Sequence, residues 1–243
     1  MSAMREPLHD SQVPAVTWRI RMTKTGPTKY MSHLDFIRTI ERSARRAELP
    51  MTLSGGFNPR PRMSFSPALP VGVSSISEFV DIMLKEPVDM DEASERLNES
   101  FPAGMRIVSS RILPPDTPAL SVIIQVASYR LDLHGKAEMC KDTVLTAVDA
   151  ILARDSIEVT RVTPKGIRRV DIRPLIYEIC VDTHSSPISI HAICASGSKG
   201  NVRPFDLAEV ILESMRVEND SVLMDITREG LYKSCCGKLC LPW

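Results

Sequence analysis

Planar guanidinium groups bind phosphate and carboxylate oxygens through paired N–H donors, and one stretch of this sequence gathers six of them. Arg38, Arg42, Arg45 and Arg46 recur at helical spacing, and Arg60 and Arg62 follow in the loop Gly55-Gly56-Phe57-Asn58-Pro59-Arg60-Pro61-Arg62. Glycine and proline alternate there between permitting and restricting backbone angles, so covalent geometry largely specifies the loop. Clustered arginines on a helix and a held loop supply phosphate contacts to nucleic acid without reading bases. The same groups suit an acidic patch on a protein. A second basic group, Arg161, Lys165, Arg168, Arg169 and Arg173, extends the possible track. His33 and Asp35, with Asn58 and Arg60, are candidate ligand contacts and a candidate acid–base site, although capping alone accounts for Asp35. Asp171, between Arg169 and Arg173, reads as their ion-pair partner rather than a base.

Positioning these groups requires a helix. Ser32 and Asp35 form the acidic variant of a capping box, so a helix should begin there; Pro50 closes it. At about 100° per residue, Ile37, Ile40, Ala44 and Ala47 share one face and the four arginines the other. Before it, Val16 to Thr23 alternates as a strand. After the arginine loop, strand, helix and strand patterns occupy Glu78 to Leu84, Met90 to Ser100 and Met105 to Leu113. With a short strand near Met51 to Leu53, the order is that of a ferredoxin-like split βαβ unit.

The second half begins the same order again, with one more strand-like segment than the first. Val122 to Leu133, Ile157 to Val162, Pro174 to Val181, Ile188 to Ala195 and Val222 to Ile226 read as strands, and Ala137 to Leu152 and Phe205 to Met215 as helices. The expected class is α+β, with two ferredoxin-like units, each with an antiparallel sheet, in an order consistent with internal duplication. The expected divisions are a loose leader over 1–13, a first unit over 14–113, a Pro-rich linker over 114–118, a second unit over 119–230 and a Cys-containing tail over 231–243.

Of 243 residues, 25% are charged and 43% hydrophobic, proportions of a globular protein with a sizeable core. The zero net charge conceals segregation: residues 19–62 carry +7 and residues 77–101 carry −6. No apolar run is long enough to span a membrane and no signal-peptide core opens the chain, so a cytoplasmic location is expected. Six scattered cysteines do not resemble a secreted disulfide framework. Phosphate-loop, nucleophile-elbow and zinc-helix motifs are absent from the sequence. Aromatic residues, at 5%, are too few for the usual base-stacking surface.

Several longer motifs carry a resemblance. Lys24-Thr25-Gly26-Pro27, Met31-Ser32-His33-Leu34-Asp35, Gly56-Phe57-Asn58-Pro59-Arg60-Pro61-Arg62, Pro67-Ala68-Leu69-Pro70-Val71-Gly72-Val73, Lys165-Gly166 with Val170-Asp171-Ile172-Arg173-Pro174-Leu175-Ile176, and Asn201-Val202-Arg203-Pro204 resemble the bacterial radical SAM-linked protein family. That resemblance, over about residues 17–232, implies a companion or carboxy-terminal extension of a radical S-adenosylmethionine enzyme. The partner would use S-adenosylmethionine and an iron–sulfur cluster. The chain itself is expected to bind no cofactor: Cys236 and Cys240 have the first spacing of the enzyme's Cys-x3-Cys-x2-Cys motif, but Trp243 occupies the third position. Cys235, Cys236 and Cys240 can be thiolate ligands for zinc or a partner's cluster, against the simpler reading of a mobile tail with exposed thiols. The leading expectation is a noncatalytic accessory protein binding transfer or ribosomal RNA for a radical SAM enzyme. The alternatives are a protein-docking module and an enzyme with a site near His33 and Asp35.

Overall fold

A computed structural model describes residues 15–55, 57–114, 116–135, 141–164, 166–197, 200–216, 222–235 and 237–243. The first half runs β1 (Val16–Lys24), α1 (His33–Arg46), β2 (Met63–Phe65), β3 (Ser74–Leu84), α2 (Met90–Ser100) and β4 (Ile107–Leu113). The second runs α3 (Leu120–Ile123), β5 (Val126–Gly135), α4 (Lys141–Leu152), β6 (Glu158–Thr163), β7 (Gly166–Asp171), β8 (Ile176–Asp182), β9 (Ile188–Gly197), β10 (Gly200–Asn201), α5 (Pro204–Met215), β11 (Val222–Cys235) and β12 (Lys238–Cys240). The architecture is mixed α+β: a large, mostly antiparallel sheet of ten strands, with five α-helices among the described residues.

In the first half the strands pair in the order β4-β1-β3-β2, and in the second in the order β11-β5-β9-β8. The halves share one sheet, whereas the sequence suggests separate sheets. They join where β11 meets β3 in parallel, Thr227 opposite Ser74 and Arg228 opposite Ser75. Among the described residues, β6 and β7 alone pair outside it, as a hairpin.

Period-two alternation gives β3 two jobs. Val80, Ile82 and Leu84 pair with Ile20, Trp18 and Val16 on the face beneath α1 and α2, where they share a core with Phe36, Ile40 and Leu97. Phe79 faces the other way, into a core with Val73, Leu131, Ile190 and Ile211. Adjacent residues of one strand are therefore wholly buried in two different cores.

Several boundaries differ from the sequence reading. Leu120–Ile123 forms the short helix α3, so β5 begins at Val126 rather than Val122. Met51 and Leu53 make only isolated bridges, to Leu84 and Pro61, because the chain folds back as an arm and Met63–Phe65 takes the place beside β3. β11 continues past residue 230 to Cys235, through a bulge between Arg228 and Gly230, and the expected tail returns as β12. The terminal residue is packed: Trp243 meets Phe79 edge-on at 5.3 Å, and Arg111 lies 5.1 Å from its ring centre. The expected linker is held as well, since Arg19 Nη2 donates to Pro118 O at 3.2 Å. The leader over 1–13 lies outside the described residues.

Buried ion pairs make these joints specific. Arg228 Nε and Nη2 donate to Glu78 Oε1 at 2.9 and 2.6 Å, and Ser66 Oγ donates to Glu78 Oε2 at 3.1 Å. Arg19 Nε and Nη2 donate to the two oxygens of Asp81 at 2.6 and 2.8 Å, and Nη1 donates to Pro242 O. Removing one member of a buried pair leaves the other charge uncompensated. Replacing Glu78 by Ala should therefore cost about 3–5 kcal/mol in urea unfolding, with much of the loss recovered when Arg228→Met is added. A loss below about 1 kcal/mol would show that the seam is not under this constraint.

Candidate functional site: an arginine helix and a buried polar seam

Helix α1 begins as the sequence indicates. Ser32 Oγ accepts from the Asp35 amide at 3.2 Å and donates to Asp35 Oδ2 at 2.8 Å. Phe36, Ile40, Ser43 and Ala44 are buried beneath it, Ile37 is half-buried, and Arg38, Arg42, Arg45 and Arg46 are exposed. The helix presents its guanidinium groups to solvent because its apolar residues are committed to the core.

The four arginines are not equivalent. Arg46 Nη2 donates to Ser100 O at 2.7 Å and Ser43 Oγ at 3.1 Å, so it satisfies a carbonyl at the end of α2. Arg38 lies 3.6 Å from Asp35, an exposed pair of little energetic weight. The side chains of Arg42 and Arg45 have no hydrogen-bond or ion-pair partner among the described residues. Arg42 and Arg46 border an open groove of about 350 Å³ with Met31, Thr39 and Phe101. The acidic residues of neighbouring α2 form no ion pair with these arginines among the described residues; its Glu92 pairs with Arg96 at 3.8 Å.

The arginine loop is an arm closed by backbone bonds, Ser54 N to Arg60 O and Arg62 N to Thr52 O, each 2.8 Å. Asn58 and Arg60 are exposed on it, and Phe57 at its outer end is fully exposed. Arg62 precedes Met63, and Ser64 lies opposite Asp81, so alternation puts Arg62 on the sheet face away from α1. It borders a pocket with Thr17, Asp81 and Met83. The six arginines consequently do not make one surface.

The second basic group divides too. Arg161 pairs with Asp206 at 2.6 Å and donates to Asn201 O at 2.8 Å, tying the β6–β7 hairpin to α5. Arg173 donates to Leu152 O at 2.9 Å and Arg154 O at 3.1 Å, capping α4. Arg168 and Arg169 are exposed on β7, with Arg169 3.7 Å from Glu158, and Lys165 lies outside the described residues. Asp171 forms no ion pair with Arg169 or Arg173 among the described residues, although the Arg173 charge favours its ionised form. It accepts from the amides of Ile157 and Arg173, and these bonds, Ile157's foremost, hold its carboxyl below the usual carboxylate range.

His33, Asp35, Asn58 and Arg60 do not converge: Asp35 caps α1 in solvent, and Asn58 and Arg60 are on the arm. His33 instead stands at the edge of the buried seam, with Lys24, Glu78 and Arg228 within electrostatic reach. Lys24 is only 2% exposed and donates to Met31 O at 3.0 Å; burial lowers its pKa. Sequence reading missed this cluster because its members lie on β1, α1, β3 and β11. Lys24 and Arg228 lie just beyond the alternations that mark β1 and β11, so only Glu78 falls inside a strand-like pattern.

Among the described residues no group of three or more His, Cys, Asp or Glu side chains can hold a metal ion. Cys235 and Cys240 lie on the paired strands β11 and β12, and Cys236 is outside the described residues. Burial pushes the Cys194 thiol up to about 12, so it is inert.

Desolvation, the largest cause, lowers the pKa of His33 from its ordinary 6.5. The unfolded chain then takes up a proton that the folded protein resists, so stability must fall as pH drops below about 6.5. His33→Gln removes that difference. Thermal melts from about pH 7 to pH 5 should show a greater loss of stability in the parent than in the variant; parallel profiles would mean His33 titrates as a solvated imidazole.

A family model described as an uncharacterized protein conserved in bacteria (DUF2344) matches residues 18–204. No curated protein matches. Among solved structures, the chain is similar to one from the crystal structure of a Cbf5-Nop10-Gar1 complex, with a TM-score of 0.43 and 11% identity. That alignment takes in 90% of this chain and 50% of the other, so the protein spans about half the length of that neighbour. The family match runs from β1 to the start of α5, across both cores and the arginine helix, and the chain belongs to the bacterial family DUF2344.

Proposed function

We propose that this protein is a noncatalytic RNA-binding accessory protein that holds transfer or ribosomal RNA for a radical SAM enzyme. The observation that carries the RNA reading is the solvent face of α1, where Arg42 and Arg45 stand without a protein partner beside a groove open to a passing backbone. Unpaired guanidinium groups on a rigid helix are prepared for phosphate, since neither an existing bond nor side-chain packing must be broken first. Arg38 adds to the face, and Arg46 contributes only insofar as it keeps its bond to Ser100. The radical SAM partner, which would bring S-adenosylmethionine and the cluster, follows from the motif resemblance alone.

The same reading takes the halves as two ferredoxin-like units derived by duplication. What supports it is their shared strand order, β4-β1-β3-β2 and β11-β5-β9-β8, with a helix after the first and third strand of each. The β6–β7 hairpin is then an insertion before the second strand of the second unit.

A second reading, docking on a partner protein without RNA, is favoured by the arm, whose outer end presents Phe57 fully exposed beside Arg60. Recovery of the protein from its own cells after mild crosslinking, with and without nuclease, separates the two. RNA recovered together with a radical SAM enzyme is the expected result; an enzyme complex indifferent to nuclease and free of RNA would leave docking alone.

Because Arg46 has a structural bond, the test of the RNA surface is Arg42→Glu with Arg45→Glu. This variant should keep its fold by circular dichroism and lose at least about tenfold in RNA affinity, and the slope of log K against log salt should shrink by about 1.4. Unchanged affinity and slope would remove α1 from the interface.

A further inference from the structure

Across the sheet from α1, the base of the arm, β1, β3 and the segment before α3 border an open pocket of about 190 Å³. Its floor is Asp81, whose charge is already balanced by the buried Arg19. Around it stand Thr17, Ser64 and Thr117, whose hydroxyls have no partner among the described residues. Met83 supplies an apolar wall, and the exposed Arg62, with an unpartnered guanidinium, lies at the mouth.

We infer that this pocket receives one pyrimidine base of a nucleotide, with the attached phosphate on Arg62. A pocket of about 190 Å³ that is open on one side admits a flat pyrimidine ring, with its sugar and phosphate left outside toward Arg62. Hydroxyls both donate and accept, so three of them match the alternating carbonyl and N–H groups of a pyrimidine edge. A methionine wall suits the flat face of the ring, because its thioether is polarisable and adaptable. Since Arg19 neutralises Asp81, Arg62 is the uncompensated charge at the pocket and favours an anionic group there. The inference rests on the RNA reading for its source of base, a nucleotide extruded from the strand held by α1. The arm, carrying Arg60 and Arg62, lies at the sheet edge such a strand would cross.

The experiment follows the methionine methyl signals of the full chain, with Met83 assigned through Met83→Leu. The probes are uridine 5′-monophosphate, inorganic phosphate and a uridine-rich RNA oligonucleotide. The monophosphate and the oligonucleotide should both move the Met83 signal, and inorganic phosphate should not. Ala119→Trp, which fills the pocket from its exposed rim, should abolish the shift. Arg62→Ala should keep it and weaken the monophosphate about tenfold.

An oligonucleotide that binds through Arg42 and Arg45 without moving Met83, together with an inert monophosphate, overturns the pocket and leaves RNA binding standing. A monophosphate shift without oligonucleotide binding supports a nucleotide pocket, while the RNA reading fails and the free nucleotide is the source. An equal shift from inorganic phosphate overturns the base assignment, leaving an anion contact at Arg62.

Discussion

The fold depends on how Arg228 is kept charged in the interior. Arg228 and Glu78 are 1% and 3% exposed, and they come from different halves of the chain, β11 and β3. A guanidinium group withdrawn from water is tolerated only when its partner and its remaining N–H groups are satisfied. The structure meets the demand with the Glu78 carboxylate and the carbonyl of Pro67, while Ser66 serves the carboxylate. Geometry this demanding locates β11 beside β3 far more narrowly than apolar contact can. With β11 so placed, Phe79 belongs to the core of the second half although its strand belongs to the first.

A second buried pair, Arg19 with Asp81, performs the same service on the other side of the first half. Because Arg19 also bonds Pro118 O and Pro242 O, segments more than a hundred residues apart close over β1 and β3. Thr117 is thereby held near the base of the arm, which is why a pocket exists there at all. The two pairs differ in what they border. Glu78 and Arg228 lie near the half-buried His33 and the buried Lys24, whereas Asp81 borders a polar pocket whose hydroxyls have no protein partner among the described residues.

Local signals were legible in the sequence, and long-range ones were not. Ser32 with Asp35 located the start of α1 to the residue, and the alternation Val16 to Thr23 located β1, because capping and amphipathic period are decided within one turn or one strand. The alternation from Val222 to Ile226 stops short of the end of β11 at Cys235, because Arg228 is held in the strand by Glu78, 150 residues distant. Likewise the strand beside β3 was assigned to Met51–Leu53, although β3 takes Met63–Phe65 once the arm has doubled back. The arginines of the candidate site were all visible, but their grouping was not. Sequence places Arg62 sixteen residues from Arg46; the sheet puts them on opposite faces.

That separation alters what charge segregation means. The excess of +7 over residues 19–62 suggests one basic surface, yet Arg19 and Lys24 are buried and Arg46 caps a neighbouring helix. The acidic excess of residues 77–101 divides in the same manner, with Glu78 and Asp81 spent inside on arginines and the rest exposed around α2. Each segment therefore gives part of its charge to the fold, and one pair, Arg19 with Asp81, neutralises the two segments against each other in the interior. The cations left outside, Arg38, Arg42 and Arg45 on α1 and Arg60 and Arg62 on the arm, are fewer than composition implies but sit on rigid supports. For phosphate recognition that is the favourable exchange, because a guanidinium on a packed helix loses less freedom on binding than one on a loose chain.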